Sequence, residues 1–177
     1  MADILSHIRE ELKAAANDAT WGPLIRSPGR TVVHSIATLT GHAALAVGPY
    51  SAVMDNGPAA EAGVASQLAQ AGHVIGDPLE ISSIRREDHA FVAPKTAEYD
   101  VLQCNTAPSS RTPRGHQFPA AFLIHASGLS DHGKDSELPI AYTHLDIAGS
   151  ASSGTVIDGR ETGRPVAALV AHYALSL

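Results

Sequence analysis

The sequence predicts an α/β domain in which helices cover both faces of a sheet, and three observations lead to this prediction. The chain has 177 residues, enough for a single domain, and 44% of them are hydrophobic. Short β-branched runs alternate with segments of helical periodicity. Aromatic residues make up only 5% of the chain, while glycine and alanine are frequent, which favours close-packed layers of helix and sheet.

Helical spacing and β-branched runs predict the elements of the first half of the chain. Apolar residues at helical spacing predict a helix over residues 3–15, and Gly22 and Pro23 stop the pattern. The next three segments are predicted strands, at residues 31–37, 43–47 and 51–54. Asn56 can cap a helix whose apolar face consists of Ala60, Val64, Leu68 and Ala71.

The second half is predicted to contain fewer elements and longer loops. Residues 75–113 hold a polar run and include Pro94, Pro108 and Pro113, which indicates a surface excursion around one short strand at 100–104. Phe118, Phe122 and their apolar neighbours predict a helix that ends at Gly128. The remaining segments are a strand at 140–147, a loop at 150–163 and a helix from Pro165 with Val166, Leu169, Val170 and Tyr173 on its apolar face.

The predicted strand at 31–37 is apolar on both faces, which is typical of a strand in the middle of a sheet. Only a helix precedes it in this sequence, so the strands that should flank it are missing. We therefore expect residues 1–177 to form a single but incomplete unit, the second half of a larger α/β domain.

Charge, hydropathy and cysteine content exclude several classes of protein. With 12 basic and 18 acidic residues the formal net charge is −6, which argues against nucleic-acid binding because that function needs a basic surface. No apolar run approaches the roughly 20 residues of a membrane span. Cys104 is the only cysteine, which excludes an intrachain disulfide and a cysteine-cluster zinc site. Acidic residues near the N-terminus favour a cytoplasmic protein, or a mitochondrial one if a leader was removed.

The ten histidines form no recognisable metal motif. The sequence contains neither H-E-x-x-H nor H-x-H, and no nucleophile elbow, P-loop or dinucleotide-binding fingerprint. His34 and His144 fall within predicted strands and are interpreted as core histidines rather than as ligands. Motifs alone therefore identify no catalytic group and no metal ligand.

Three segments rich in small residues carry a different signal: Ile36-Ala-Thr-Leu-Thr-Gly41, His144-Leu-Asp-Ile-Ala-Gly149 and Thr162-Gly-Arg-Pro-Val166. In this order and at these distances they resemble the C-terminal catalytic half of the leucyl aminopeptidases, a family of metallopeptidases. Segments between them match as well, so the resemblance covers nearly the whole chain. It implies a partial three-layer structure with a mixed sheet flanked by helices, the C-terminal half of a zinc-peptidase-like catalytic domain.

The resemblance also implies which chemistry this chain lacks. Members of the family use two divalent metals, zinc or manganese, to activate the water that releases the N-terminal amino acid of a peptide. Their metal ligands and catalytic side chains lie in or before an N-T-D-A-E-G-R motif. This sequence has no such motif, and its opening Met1-Ala-Asp-Ile-Leu5 matches the helix that follows the motif. We therefore expect no catalytic residue, metal ligand or cofactor in this chain, and two metals only in a complete member.

The residues of this chain that match functional positions of the family lie on the substrate side of the active site. The implied substrate-binding residues are Thr38, Leu39, Gly41, Ala148 and Ala151. The first three would offer backbone groups to the substrate, and the two alanines would line the pocket for its N-terminal side chain. Asp146 corresponds to an acid that supports the loops in the family, so we expect it to be structural.

Three functions remain open at this point. The chain is the C-terminal portion of a leucyl-aminopeptidase-like metallo-exopeptidase, a catalytically inactive subunit with a structural or interaction role in a larger assembly, or a small amino-acid-binding module. The expected partners are a peptide or amino-acid substrate, once an N-terminal part completes the site, and further protein chains. Because family members are hexamers, a homo-oligomer is expected, with a larger protein assembly as the other form.

Overall fold

A four-stranded sheet organises the fold in the computed structural model, which describes residues 31–154 and 158–175. Its strands are β1 (Val32–Ala37), β2 (Ser51–Asp55), β3 (Leu79–Ser83) and β4 (Ala141–Asp146). They lie in the order β1-β4-β2-β3, with β1 parallel to β4, β3 parallel to β2, and β2 antiparallel to β4. The sheet is therefore mixed. A separate antiparallel pair consists of β5 (Ser152–Ser153) and β6 (Arg160–Glu161).

Helices cover both faces of this sheet. The helices are α1 (Gly41–Val47), α2 (Gly57–Ala62), α3 (Val64–Ile75), α4 (Arg86–Val92), α5 (Gln117–Ala126) and α6 (Val166–Tyr173). Helices α3 and α6 pack on the face that carries Val53 and Leu145, and α5 packs on the opposite face, beside Tyr142. Helix α4 packs against α5. The predicted layers of helix, sheet and helix are confirmed, and no helix in the described ranges is long and apolar enough to cross a bilayer.

Most predicted elements of the described part lie within a few residues of their observed bounds. This holds for β1, β2, β4 and α5. Asn56 caps α2 as expected, because its side chain accepts a hydrogen bond from the Ala59 N–H at 3.0 Å. The predicted single helix is divided at Gly63, whose φ of 70° ends α2 and begins α3. Ala60 is exposed, whereas Val64, Leu68 and Ala71 are buried as expected.

The strand predicted at 43–47 is wrong, because these residues belong to α1. Thr40 caps this helix: its hydroxyl oxygen accepts a hydrogen bond from the Ala43 N–H at 3.1 Å. Three alanines provide high helix propensity, and Gly48 ends the helix with a φ of 64°. A cap and small residues therefore outweigh the short apolar run that suggested a strand.

The long surface excursion predicted at 75–113 contains two regular elements that the sequence analysis missed. β3 adds a parallel edge strand beside β2, and α4 follows it. Asp88 stabilises the start of α4 by accepting a hydrogen bond from the Arg85 N–H at 2.7 Å. No strand forms at 100–104; Leu102 instead donates a backbone hydrogen bond to Val92 at 2.8 Å. In the described residues 150–154 and 158–163, the predicted loop is correct apart from the short β5–β6 pair.

The apolar face predicted for the last helix differs from the face that is buried. Ala168 and Ala171 pack toward α3, and Leu169 of the predicted face is partly buried against the same core. The other predicted residues, Val166, Val170 and Tyr173, are 61%, 47% and 50% exposed. Small residues control this contact. A Cβ on Gly72 of α3 would lie 2.7 Å from Leu79 Cδ1 and 3.2 Å from Ala168 Cβ, so glycine and alanine permit the close approach. The valines and the tyrosine are left on the outside.

Strand β1 lies at the edge of the described sheet rather than in its middle. Among the described residues it pairs only with β4, and its Ile36 side chain is 45% exposed. The apolar composition of β1 was read correctly, but the strands expected to flank it on the other side are not among residues 31–154 and 158–175. The helix predicted at 3–15 lies outside the described residues.

Candidate functional site

Two loops leave the sheet side by side because β1 and β4 are parallel neighbours. Ala37 and Asp146 are paired at the carboxyl ends of these strands, and the Ile147 N–H donates a hydrogen bond to the Ala37 carbonyl at 2.9 Å. The segments 38–41 and 147–151 therefore begin at the same sheet edge. In open α/β sheets, ligands bind at this carboxyl edge.

Asp146 joins the two loops through a single buried carboxylate. Its Oδ1 accepts hydrogen bonds from the N–H groups of Leu39 and Ala148, both at 3.1 Å. Its Oδ2 accepts a hydrogen bond from the Thr40 hydroxyl at 2.6 Å. Asp146 is 0% exposed, so these donors replace the water that an ionised carboxylate would otherwise need. This geometry is the loop support expected for Asp146.

The second loop also packs against α1, and Gly149 makes this contact sterically possible. A Cβ at Gly149 would lie 2.1 Å from the Gly48 carbonyl oxygen and 3.1 Å from Ala44 Cα. Behind this contact, the buried hydroxyl oxygens of Ser51 and Ser150 are 2.7 Å apart. The loop after β4 is therefore held against both β1 and α1.

The five predicted substrate-binding residues lie in these two loops and at the start of α1. Thr38 and Gly41 are exposed, whereas Leu39, Ala148 and Ala151 are partly buried. The structure links Leu39 to Ala148 through Asp146. Gly41 faces the 3-10 turn Ser109–Arg111 instead, and Ala151 continues toward β5. Substrate binding by these residues stays a prediction.

An apolar cavity of about 250 Å³ opens beside the first loop. Leu39 and Thr40 form one side of it, and α5 contributes Phe118 and Phe122. The rest of its wall consists of Gln103, Cys104, Ala107, Ser109, Pro119 and Leu123. Of the five predicted substrate-binding residues, Leu39 lines this cavity, whereas Thr38, Gly41, Ala148 and Ala151 do not. The sequence analysis missed this cavity, although the i, i+4 spacing of Phe118 and Phe122 marks an aromatic face on α5.

Two buried histidines near the site are held neutral. His144 is 0% exposed, its Nδ1 lies 2.7 Å from the Ser35 hydroxyl, and burial lowers its pKa to about 4. His116 is 3% exposed and lies between Ser82 and His42. Burial, with a smaller effect of His42, lowers the pKa of His116 to about 4. His144 is thus the core histidine that was predicted, whereas His34 is only partly buried.

The described residues do not fit the two-metal centre that the resemblance implies. Within residues 31–154 and 158–175, no group of three or more histidine, cysteine, aspartate or glutamate side chains is placed to hold a metal ion. The loops joined by Asp146 offer backbone groups, alanine side chains and an apolar cavity. Such groups can contact a ligand.

Comparisons with known proteins agree with the resemblance. A Caenorhabditis elegans protein named "putative aminopeptidase" is 47% identical over 115 residues, which are 65% of this chain and 22% of that protein. A solved structure of a mutant of tomato leucine aminopeptidase superposes with a TM-score of 0.58 and 21% identity. That superposition covers 81% of this chain and 24% of the tomato chain, and it shows a shared fold.

These coverages mean that the chain spans less than a quarter of the length of either relative. The family itself is identified from a longer match. The sequence model described as "cytosol aminopeptidase family, catalytic domain" matches residues 23–170, which is well over half of the chain. The chain therefore belongs to the cytosol aminopeptidase family.

Proposed function

We propose that this chain supplies the substrate-facing wall of an aminopeptidase site that releases N-terminal amino acids from peptides. The observation that carries the proposal is the shared anchoring of Leu39, Thr40 and Ala148 on the Asp146 carboxylate. It holds two loops of small residues in register at the carboxyl edge of the sheet, beside the 250 Å³ apolar cavity. Backbone groups and an apolar pocket suit a peptide whose first side chain is hydrophobic.

We further propose that the catalytic metals are bound by residues other than the 177 of this sequence, in the same polypeptide or in a partner. Support comes from the sequence, which has no N-T-D-A-E-G-R motif, and from the described residues, which do not form a two-metal site. Two divalent ions, zinc or manganese, would supply the activated water in a complete member. Residues of this chain would bind and orient the peptide. The family name supports a cytoplasmic location.

Among the described residues, β1 pairs on one side only, and its other side is the proposed place where such a partner joins. Ile36 on β1 and Val166, Val170 and Tyr173 on α6 are between 45% and 61% exposed. The Tyr173 hydroxyl is hydrogen-bonded to His34 of β1, so strand and helix form one surface. An apolar surface beside an open sheet edge promotes association. This observation also favours the second candidate function, an inactive subunit of a larger assembly.

A hydrolysis assay tests the proposal and distinguishes the candidates. The purified chain is incubated with leucyl-p-nitroanilide and either Mn²⁺ or Zn²⁺. We expect no release of nitroaniline above the rate with metal alone, and release once the missing part of the site is added as a second polypeptide. Hydrolysis by the chain alone would contradict the proposal that the catalytic metals are bound by residues outside this sequence. If the second polypeptide binds the chain but nitroaniline release does not increase, the result would favour the second candidate function, an inactive subunit of a larger assembly.

A further inference from the structure

A second cavity, of about 540 Å³, lies away from the site described above. Its wall includes Asp55 and Asn56, at the carboxyl end of β2. Because β2 is antiparallel to β4, this end lies at the opposite edge of the sheet from the loops that Asp146 joins. The proposed aminopeptidase site does not use this cavity.

Two histidines from different helices meet in the wall of this cavity. His89 belongs to α4 and His125 to the last turn of α5. His89 Nδ1 and His125 Nε2 are 3.0 Å apart, and the ring centroids are 5.1 Å apart. Burial lowers the pKa of both imidazoles, with His89 adding to the effect on His125. Both rings are therefore neutral at neutral pH, and the neutral ring is the form that binds metals.

The charges around the cavity favour a cation. Apart from the two histidines, its charged lining residues are Asp55, Asp131, Asp135 and Lys134, which is three carboxylates against one ammonium group. Asp131 lies near enough to His125 to act on its pKa, in the direction that opposes burial. Imidazole nitrogen together with carboxylate oxygen is a common ligand set for divalent transition metals.

We propose that His89 and His125 bind a divalent transition metal through the two facing nitrogens. With metal–nitrogen bonds of about 2.0–2.1 Å, a 3.0 Å separation corresponds to an angle at the metal of roughly 95°. This is nearer to the right angle of square-planar or octahedral Cu²⁺ and Ni²⁺ than to the tetrahedral angle of Zn²⁺. The ring that donates the hydrogen bond changes tautomer, so that its proton lies on its other nitrogen and both rings remain neutral. Rotation about Cβ–Cγ then turns the two facing lone pairs toward the metal.

The remaining positions of the metal go to water and to Asp131, whose exposed side chain can rotate toward His125. No third ligand stands preformed in the described ranges. The site is therefore an open one, able to exchange its ion and to accept a donor atom from a small molecule in the cavity. Its position at the opposite ends of the strands separates it from the loops that Asp146 joins.

Calorimetric titration of the full chain with Ni²⁺ at neutral pH tests the proposal. We expect binding of one ion per chain. His89→Gln and His125→Gln should each weaken it at least roughly tenfold, the lower end of what substitutions around bound metals cost. The matched control is His73→Gln, on the exposed side of α3, which should leave the affinity unchanged.

Electron paramagnetic resonance with one equivalent of Cu²⁺ is the second readout, and it needs no variant. Coupling to two nitrogens is expected. The proposal is overturned if the wild-type chain binds neither ion, or if both variants keep the wild-type affinity. It is also overturned if His42→Gln alone abolishes binding, because the metal would then sit at the His42–His116 pair, whose nitrogens are 2.8 Å apart. Equal thermal midpoints of the metal-free proteins show that the variants are folded.

Discussion

Asp146 is the side chain on which the arrangement of the candidate site depends. Asn has the same shape but cannot accept both the Thr40 hydroxyl and the two backbone N–H groups. We predict that Asp146→Asn lowers the free energy of unfolding by about 1.5–3 kcal/mol, the usual range for hydrogen bonds to a charged group. Urea unfolding measures the change. Thr38→Val, an exposed position in the same loop, should stay within about 0.5 kcal/mol. Equal effects of both substitutions would contradict the assigned role of Asp146.

The buried histidines predict how stability depends on pH. His116 and His144 have pKa values of about 4 in the folded chain, below the ordinary value of 6.5. Between these values the unfolded chain binds more protons, so stability falls as the pH is lowered from about 6.5 toward about 4. We expect the urea midpoint to drop over this window. The drop in the urea midpoint should be smaller in His116→Gln. In the control, His73→Gln, it should equal that of the wild type. A midpoint independent of pH would contradict the burial of His116 and His144.

At the residue scale, the sequence could identify residues whose role depends on nearby positions in the chain. It could not identify residues that are distant in sequence and come into contact only in the folded structure. Asn56 was assigned correctly from its position before a helix, and the role of Asp146 was expected from the resemblance to the family. His89 and His125 are 36 positions apart and belong to different helices, one of which was not predicted. Their pairing depends on how α4 packs on α5, and no spacing rule reports that.

The contact between α3 and α6 is set by glycine and alanine, which leads to a prediction at the level of elements. Gly72→Ala should improve helix propensity by about 1 kcal/mol. Its new Cβ, however, would lie 2.3 Å from the Asp77 carbonyl oxygen, and overpacking of this kind costs about 1–3 kcal/mol. We expect a net loss of stability in thermal unfolding. Ser66→Ala, exposed on the same helix, should be neutral or slightly stabilising. Stabilisation by Gly72→Ala would contradict the close packing of Asp77, Leu79 and Ala168 on Gly72.

The errors in element prediction share a physical cause. Helix α1 was mistaken for a strand because five small or apolar residues in a row satisfy either structure, and the cap from Thr40 decided between them. For α6 the periodicity was right but the buried face was wrong, because large apolar residues were assumed to face inward. The shape of Gly72 and Ala168 set the packing instead. β1, β2 and β4 were predictable because a strand buried in a layered fold needs a continuous apolar run.

At the scale of the whole molecule, we predict that the chain associates through β1 and α6. Val170→Lys would place a charge on the exposed apolar surface, and we expect it to shift sedimentation at micromolar concentration toward the monomer. Val74→Lys is the control, since Val74 is a valine that is 64% exposed on a different helix, α3. Val33 is unsuitable for this test because it packs beside Tyr142 and Ile124 inside the chain. A wild-type chain that sediments as a folded monomer of about 18 kDa would contradict the prediction.

The central claim is that the loops joined by Asp146 contact the N-terminal residue of a peptide. Methyl resonances report this directly, because Leu39, Ala148 and Ala151 all carry methyl groups. The measurement is a nuclear magnetic resonance titration of the full chain with a dipeptide that begins with leucine. We predict shifts concentrated at these three residues, with Leu68 and Ala171 of the core unmoved. Shifts confined to the cavity at His89 and His125, or no shifts at saturating dipeptide, would contradict the account.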